Sequence, residues 1–337
     1  MDHKTGLQIV RATVGVEANH PSLLPRFPLT IDVPSLLTDF RDVTRIPYSR
    51  DLDGQIRLEN TRRGSVRFSM SGRRAVIQGP LLRLERDASD IRYSLWGNQG
   101  FLYRFVLALL EERCGIFSFH ACGLADEDGR HLYVIAGGAG SGKTVYLLSG
   151  ISRGLKVFST ETVHFRFGRG GLTWFKGSLV DNIRVGTLLY DFPEFRPPGI
   201  SRLRTTSAWR KKIALDLSAH QSGPDTLRAP RVVLVFPRIE EGRRGFTAEF
   251  LSDKRKIVKA VFDNLSQKIA ETTLLYDRVV VPGLDSEARG AARLGASRRL
   301  ATDASLVRAV AVLSNPSECW GDLLQSQRIP RGAGHKF

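Results

Sequence analysis

The chain has 337 residues, 42% of them hydrophobic and 25% charged, enough to bury a substantial core in one domain with an addition or in two. Its three cysteines, Cys114, Cys122 and Cys319, cannot all pair, and no apolar run approaches the roughly 20 residues of a membrane span, which excludes a disulfide scaffold and a spanning helix. A net charge of +16, from 50 Lys and Arg against 34 Asp and Glu, favours anionic partners without selecting one.

Residues 1 to about 95 hold short alternating segments, among them Leu7 to Val14, Gly64 to Met70 and Ala75 to Gln78, separated by glycine and proline. They predict a β-rich N-terminal module over 1–98 with one solvated face. Phe101, Leu102, Phe105, Val106, Leu109 and Leu110 then recur at helical spacing until Cys114 and Gly115, predicting a helix that leads into a second domain over 99–275. Ile116 to Leu124 alternates as a strand, Asp126 to Arg130 is an acidic turn containing Gly129, and His131 to Ala136 is a short apolar run, so together they predict a β-hairpin.

The hairpin runs directly into Gly137, Gly138, Ala139, Gly140, Ser141, Gly142, Lys143 and Thr144, a complete G-x-x-x-x-G-K-[ST] phosphate-binding loop. Glycines let consecutive backbone N–H groups turn inward on phosphate oxygens, where a Cβ would obstruct them. Lys143 adds positive charge at the β- and γ-phosphates, and the Thr144 hydroxyl suits Mg²⁺. Val145 to Ser152 reads as the helix whose N-terminus completes the anion site, and Arg153 with Gly154 stops it. Leu155 to Ser159 predicts a further strand that ends beside Thr160 and Glu161, where ligand chemistry collects in open sheets.

Val163 to Phe167 and Leu172 to Phe175 flank a glycine-rich turn as another hairpin, whereas 176–210, with Pro193, Pro197 and Pro198, has few periodic signals and reads as loop. Arg231 to Phe236 predicts a buried strand, and Asp253 to Ile269 and Asp303 to Leu313 predict amphipathic helices. The last of these makes 276–337 a helical C-terminal extension, ending in a basic tail over 328–337. Trp174, Trp209 and Trp320 are aromatic positions that suit either core or base stacking. Cys114 and Cys122 lack partners at metal-ligand spacing and read as buried thiols.

From His120 to Val163 the chain resembles the catalytic domain of HPr kinase/phosphorylase and the P-loop kinases related to it, with a nucleotide region similar to that of ATP-dependent phosphoenolpyruvate carboxykinase. The likeness is carried by His120-Ala121, by Ala139 to Thr144, by Arg153-Gly154 and by Ser159-Thr160-Glu161, with no gap from Lys143 to Glu161. It departs at Thr160, where the family has the first of two acidic residues. The resemblance implies an α/β P-loop domain with a mixed sheet and an ATP-dependent (or GTP-dependent) kinase requiring Mg²⁺. The acceptor would be a hydroxyl on a peptide or protein serine or on a small molecule. It implies Glu161, His120 and Lys143 as catalytic residues, Thr144 and Glu161 as metal ligands, and a tendency to homo-oligomers. Arg184, Lys211 and Lys212 are candidates for neutralising charge during transfer, with solvated or ion-paired side chains the open alternative. A nucleotide-binding regulatory or scaffold protein that has lost transfer is the alternative function that Thr160 leaves open. No nucleic-acid motif accompanies the basic charge, the scattered Arg pairs read as solvated surface, and the expected compartment is the cytoplasm with reduced thiols.

Overall fold

A computed structural model describes residues 2–25, 39–41, 43–88, 91–98, 100–200, 205–240, 242–276, 278–303, 307–321 and 323–324. The basic tail over 328–337 lies outside them. The chain is mixed α/β, with two large mixed sheets that share the helix between them.

The N-terminal sheet consists of β1 (His3–Ile9), β2 (Ala12–Ala18), β3 (Val43–Ile46), β4 (Gly54–Asn60), β5 (Arg67–Ser71) and β6 (Arg74–Gly79), in the order β3-β1-β2-β4-β6-β5. The alternating run from Leu7 to Val14 is not one strand: it folds back at Val10, which adopts φ +57°, so that Leu7 pairs with Val14. After the short α1 (Leu81–Arg86) comes α2 (Phe101–Cys114), every residue of which from Phe101 to Glu111 is buried. Gly115, at φ 60°, caps it in the left-handed region, the conformation glycine adopts without a Cβ penalty. A helix buried all round must be covered on both sides. One cover is the N-terminal sheet, where Gly54 lies so close that a Cβ would meet Phe105 and Leu109 at 2.7 and 2.6 Å.

The other cover is the second sheet and its helices. β7 (Phe117–Ala125) and β8 (His131–Ala136) form the expected hairpin, α3 (Lys143–Ser152) follows the loop, and β9 (Lys156–Ser159) pairs with β7. β10 (Thr162–Gly168) and β11 (Gly171–Phe175) form the next hairpin. The region expected to be loop instead holds β12 (Val180–Arg184), a π-helical turn over Thr187–Asp191 and α4 (Thr205–Arg210), and β12 pairs antiparallel with β13 (Lys212–Asp216). Then follow β14 (Thr226–Arg228), β15 (Arg231–Ile239), β16 (Thr247–Phe250), α5 (Lys254–Ala270), β17 (Thr273–Leu275), β18 (Val279–Val281), α6 (Glu287–Thr302) and β19 (Val307–Ser314).

The nine-stranded sheet runs β14-β11-β10-β7-β8-β15-β19-β16, with β9 added at β7. Its centre is the parallel trio β8, β15 and β19. The expected helix over 303–313 is therefore corrected: Val307 to Ser314 is a strand of this sheet. A strand covered on both faces presents a nearly unbroken apolar run, and periodicity cannot separate that from a buried helix. The expected helical extension is corrected with it, because its helix is α6, ahead of the strand. In α6, Gly290, Gly295 and four arginines mask the buried stripe of Arg293, Ala296, Ser297 and Leu300. Successive residues of β15 face opposite layers: Val232 and Leu234 pack with α5 and α6, and Val233 and Val235 with α3. The C-terminal ends of β8, β15 and β19 thus share one edge, and the glycine loop lies on it.

Candidate functional site

Ala136 ends β8, and after six intervening residues Lys143 begins α3 with Gly142 as its N-cap. Gly140 and Gly142 adopt φ +79° and +102°, and a Cβ on Gly142 would come within 2.2 Å of Ile239. Gly138 and Gly140, in contrast, open onto free space. No side chain caps α3, so the N–H groups of its first turn point at the loop without an internal partner. Lys143 folds back over the loop, donating to the carbonyls of Gly137 (2.8 Å) and Gly138 (3.1 Å). The Ser141 hydroxyl is buried without a partner among the described residues. Loop amides, helix N-terminus and ammonium all converge on one concave surface, the arrangement that receives phosphate.

Across that surface stand two carboxyl groups. The Thr144 hydroxyl donates to Asp181 Oδ2 at 3.2 Å, and Asp181 comes from β12, 37 residues further along. Glu161 follows β9, and its Oε2 lies 3.5 Å from His120 Nε2. The Asp181 and Glu161 carboxyl groups interact directly, each altering the other's ionisation. Burial and the neighbouring Glu161 charge push the Asp181 carboxyl well above its ordinary range. Burial opposes ionisation of Glu161 too, but the hydrogen bond and charge of His120 outweigh it and hold Glu161 down to about 2.

His120 is oriented from α5. Its backbone N–H donates to Asn264 Oδ1 (2.9 Å), Asn264 Nδ2 donates to its carbonyl (3.1 Å), and its Nδ1 is 3.1 Å from Gln267 Oε1. An amide oxygen only accepts, so Nδ1 carries a proton and Nε2 faces Glu161. Asn264 and Gln267 are three residues apart and lie on one helix face.

His120, Lys143, Thr144, Glu161 and Asp181 line a single cavity of about 580 Å³, together with Arg184, Asp191, Trp209, Lys212 and Lys268. Sequence reasoning identified Glu161, His120, Lys143 and the loop, and the fold brings all of them together. It missed Asp181 and Lys268, which lie in a segment without periodicity and on the amphipathic α5. A carboxylate beside Arg184 was the available signal for Asp181.

Thr160 is structural. It is buried, and its hydroxyl lies 2.6 Å from the Val180 carbonyl and 3.1 Å from that of Ser178, tying the end of β9 to the start of β12. The carboxyl group that faces Thr144 is instead that of Asp181. Trp174 packs against Phe119 and Phe165, and Trp320 donates to the Tyr146 carbonyl between Tyr133 and Tyr146, so both are core. Trp209 lines the cavity, and so does Lys212; Lys211 does not. Cys122 and Cys319 are buried free thiols, and Cys114, expected to be buried, is only partly so at the edge of α2.

The oxygen donors Thr144, Asp181 and Glu161 suit Mg²⁺ chemically, and two interacting carboxyl groups are a place where a divalent ion can offset their mutual repulsion. Among the described residues no group of three or more His, Cys, Asp or Glu could hold a metal. A metal here would therefore depend on ligand oxygens as well as protein. No helix among the described residues is long and apolar enough to cross a membrane. Compared with protein-family models and with curated proteins, the chain matches none of them.

Proposed function

We propose that the chain is a Mg²⁺-dependent kinase built on an HPr-kinase-like P-loop domain, transferring the γ-phosphoryl group of ATP or GTP to a hydroxyl of a peptide, protein or small molecule. The observation that carries this reading is the hydrogen bond from Thr144 to Asp181 in the same cavity as the Glu161–His120 pair. A phosphate-binding loop alone would fit any nucleotide-binding protein. One carboxyl facing its threonine and a second lining the same cavity add the groups that phosphoryl transfer uses.

In this reading the loop amides and the N-terminus of α3 hold the β- and γ-phosphates. Lys143 exchanges its two carbonyl partners for phosphate oxygens, and Thr144 and Asp181 would hold Mg²⁺. Bound Mg²⁺ supplies charge neutralisation on the phosphates. Glu161, oriented by His120, receives the acceptor proton as the acceptor oxygen bonds to the γ-phosphorus and the bridge to the β-phosphate breaks, leaving the nucleoside diphosphate. A carboxylate held this low is a weak base. Its work is chiefly to orient the hydroxyl, in keeping with a reaction governed by positioning and charge.

Incubation with γ-labelled ATP, Mg²⁺ and fractionated extract tests the reading. Wild type should label an acceptor and Lys143→Ala should reduce label transfer by about a hundredfold or more. Unchanged transfer in that variant would refute it. Nucleotide binding by wild type without any transfer would instead select the regulatory or scaffold reading.

A further inference from the structure

We infer that the acceptor carries its own negative group, a carboxylate or a phosphate, and that Arg184, Lys212 and Trp209 form the subsite that receives it. This inference rests on the kinase reading of the same cavity.

Arg184 and Lys212 are direct partners in the antiparallel pairing of β12 and β13. Like charges in directly opposed positions repel, and sheets ordinarily avoid them. Neither side chain forms an ion pair among the described residues, and both line the same cavity as Asp181 and Glu161. Arg184 is also aimed: its Nη1 donates to the Trp209 carbonyl at 2.7 Å. Trp209 is fixed in turn, with its ring seated over Gly186, where a Cβ would lie 2.5 Å from the indole, and with Tyr190 stacked at 6.2 Å.

Lys143, the loop amides and the metal ligands already account for a triphosphate. Two further cations stand beside an aromatic wall, and although Asp181 and Asp191 line the same cavity neither cation is ion-paired with them, an arrangement matched by a second anion. A guanidinium recognises either a carboxylate or a phosphate through paired N–H groups, with an ammonium as the second contact. An anionic group held there would leave an adjoining hydroxyl within the cavity that Glu161 also lines.

Calorimetry on the full chain tests this directly. The protein is first saturated with Mg²⁺ and the non-hydrolysable analogue adenylyl imidodiphosphate, so that the nucleotide site is filled, and is then titrated with inorganic phosphate or with malonate. Wild type should bind at least one of them saturably, and which one answers distinguishes a phosphorylated from a carboxylated acceptor. Arg184→Gln/Lys212→Gln should bind it roughly tenfold more weakly or worse. Lys211→Gln, which removes a unit charge one residue away but outside the cavity, should bind as wild type does. Both altered positions are exposed, so the double variant retains the fold, and its affinity for the analogue should be unchanged. Absence of anion binding by loaded wild type would overturn the inference, as would equal binding by the double variant. A parallel loss of analogue affinity in the double variant would also overturn it, because the two cations would then belong to the triphosphate. Failure of wild type to bind the analogue at all would remove the kinase reading and this inference with it.

Discussion

At the scale of single residues, the two side chains at the end of β9 have opposite fates. Thr160 turns inward to two backbone carbonyls, whereas Glu161 turns outward to His120. An aspartate at 160 would bring an uncompensated charge against those carbonyls. Thr160→Asp should therefore lower stability by about 3–5 kcal/mol and give no gain in phosphate transfer. Denaturant melts beside the labelled assay check both halves, and a rise in turnover would show that position 160 belongs to the chemistry. Asp181→Asn is expected to act differently: transfer should drop by about 10²–10⁴-fold, while nucleotide measured without Mg²⁺ still binds. Retention of transfer in that variant would return the second carboxylate to an unidentified residue.

At the scale of elements, the pairing of β12 with β13 assembles the far wall of the cavity. It brings Asp181, Arg184 and Lys212 from a stretch interrupted by prolines and a π-helical turn. Gly186 is the narrow point, since Trp209 lies directly on it. Gly186→Ala should displace the indole and cost about 1–3 kcal/mol by overpacking. Because Arg184 donates to the Trp209 carbonyl, its aim should loosen as well. Indole fluorescence together with thermal melting would report both effects, and an unaltered spectrum with wild-type stability would mean that the contact is not maintained in solution. On the other wall α5 acts as a ruler, holding His120 by both its backbone and its ring through Asn264 and Gln267.

At the scale of the whole molecule, the N-terminal module is attached to the back of the site. Phe40 stacks on His164 at 5.9 Å and contacts Tyr103 at 5.3 Å, and the Tyr103 hydroxyl is 3.2 Å from Thr162, the residue after Glu161. Asp39 is buried beside Asn98, and Arg41 pairs with Asp225. His164 is wholly buried on Ser118, and burial lowers its pKa to about 3. With the folded pKa below the unfolded value, the unfolded chain binds the extra proton as pH falls. Stability is then complete above about 6.5 and declines toward 3. From pH 7 to 5 the loss from this group should be about 2 kcal/mol. Urea melts across that range check it, and His164→Gln should flatten the slope. An equally steep slope in the variant would assign the acid sensitivity elsewhere.

What was legible in the sequence is what local order encodes. Eight consecutive residues from Gly137 to Thr144 carry the pattern of a phosphate-binding loop, whose turn depends on local glycines and backbone amides rather than on distant contacts. The hairpin before it, the helix after it, α2 and α5 were legible for the same reason, since their periods and caps are written in neighbouring residues. Non-local pairing decided the rest. β19 became a strand because β15 and β16 offered their edges to an apolar run that fits either backbone. Asp181 became the partner of Thr144 because β13 aligned β12 across the cavity, a pairing that no short-range pattern specifies. Residue chemistry was fixed by the chain, but which carboxylate faces the threonine depended on tertiary packing, because burial and distance are set by contacts between residues far apart in sequence.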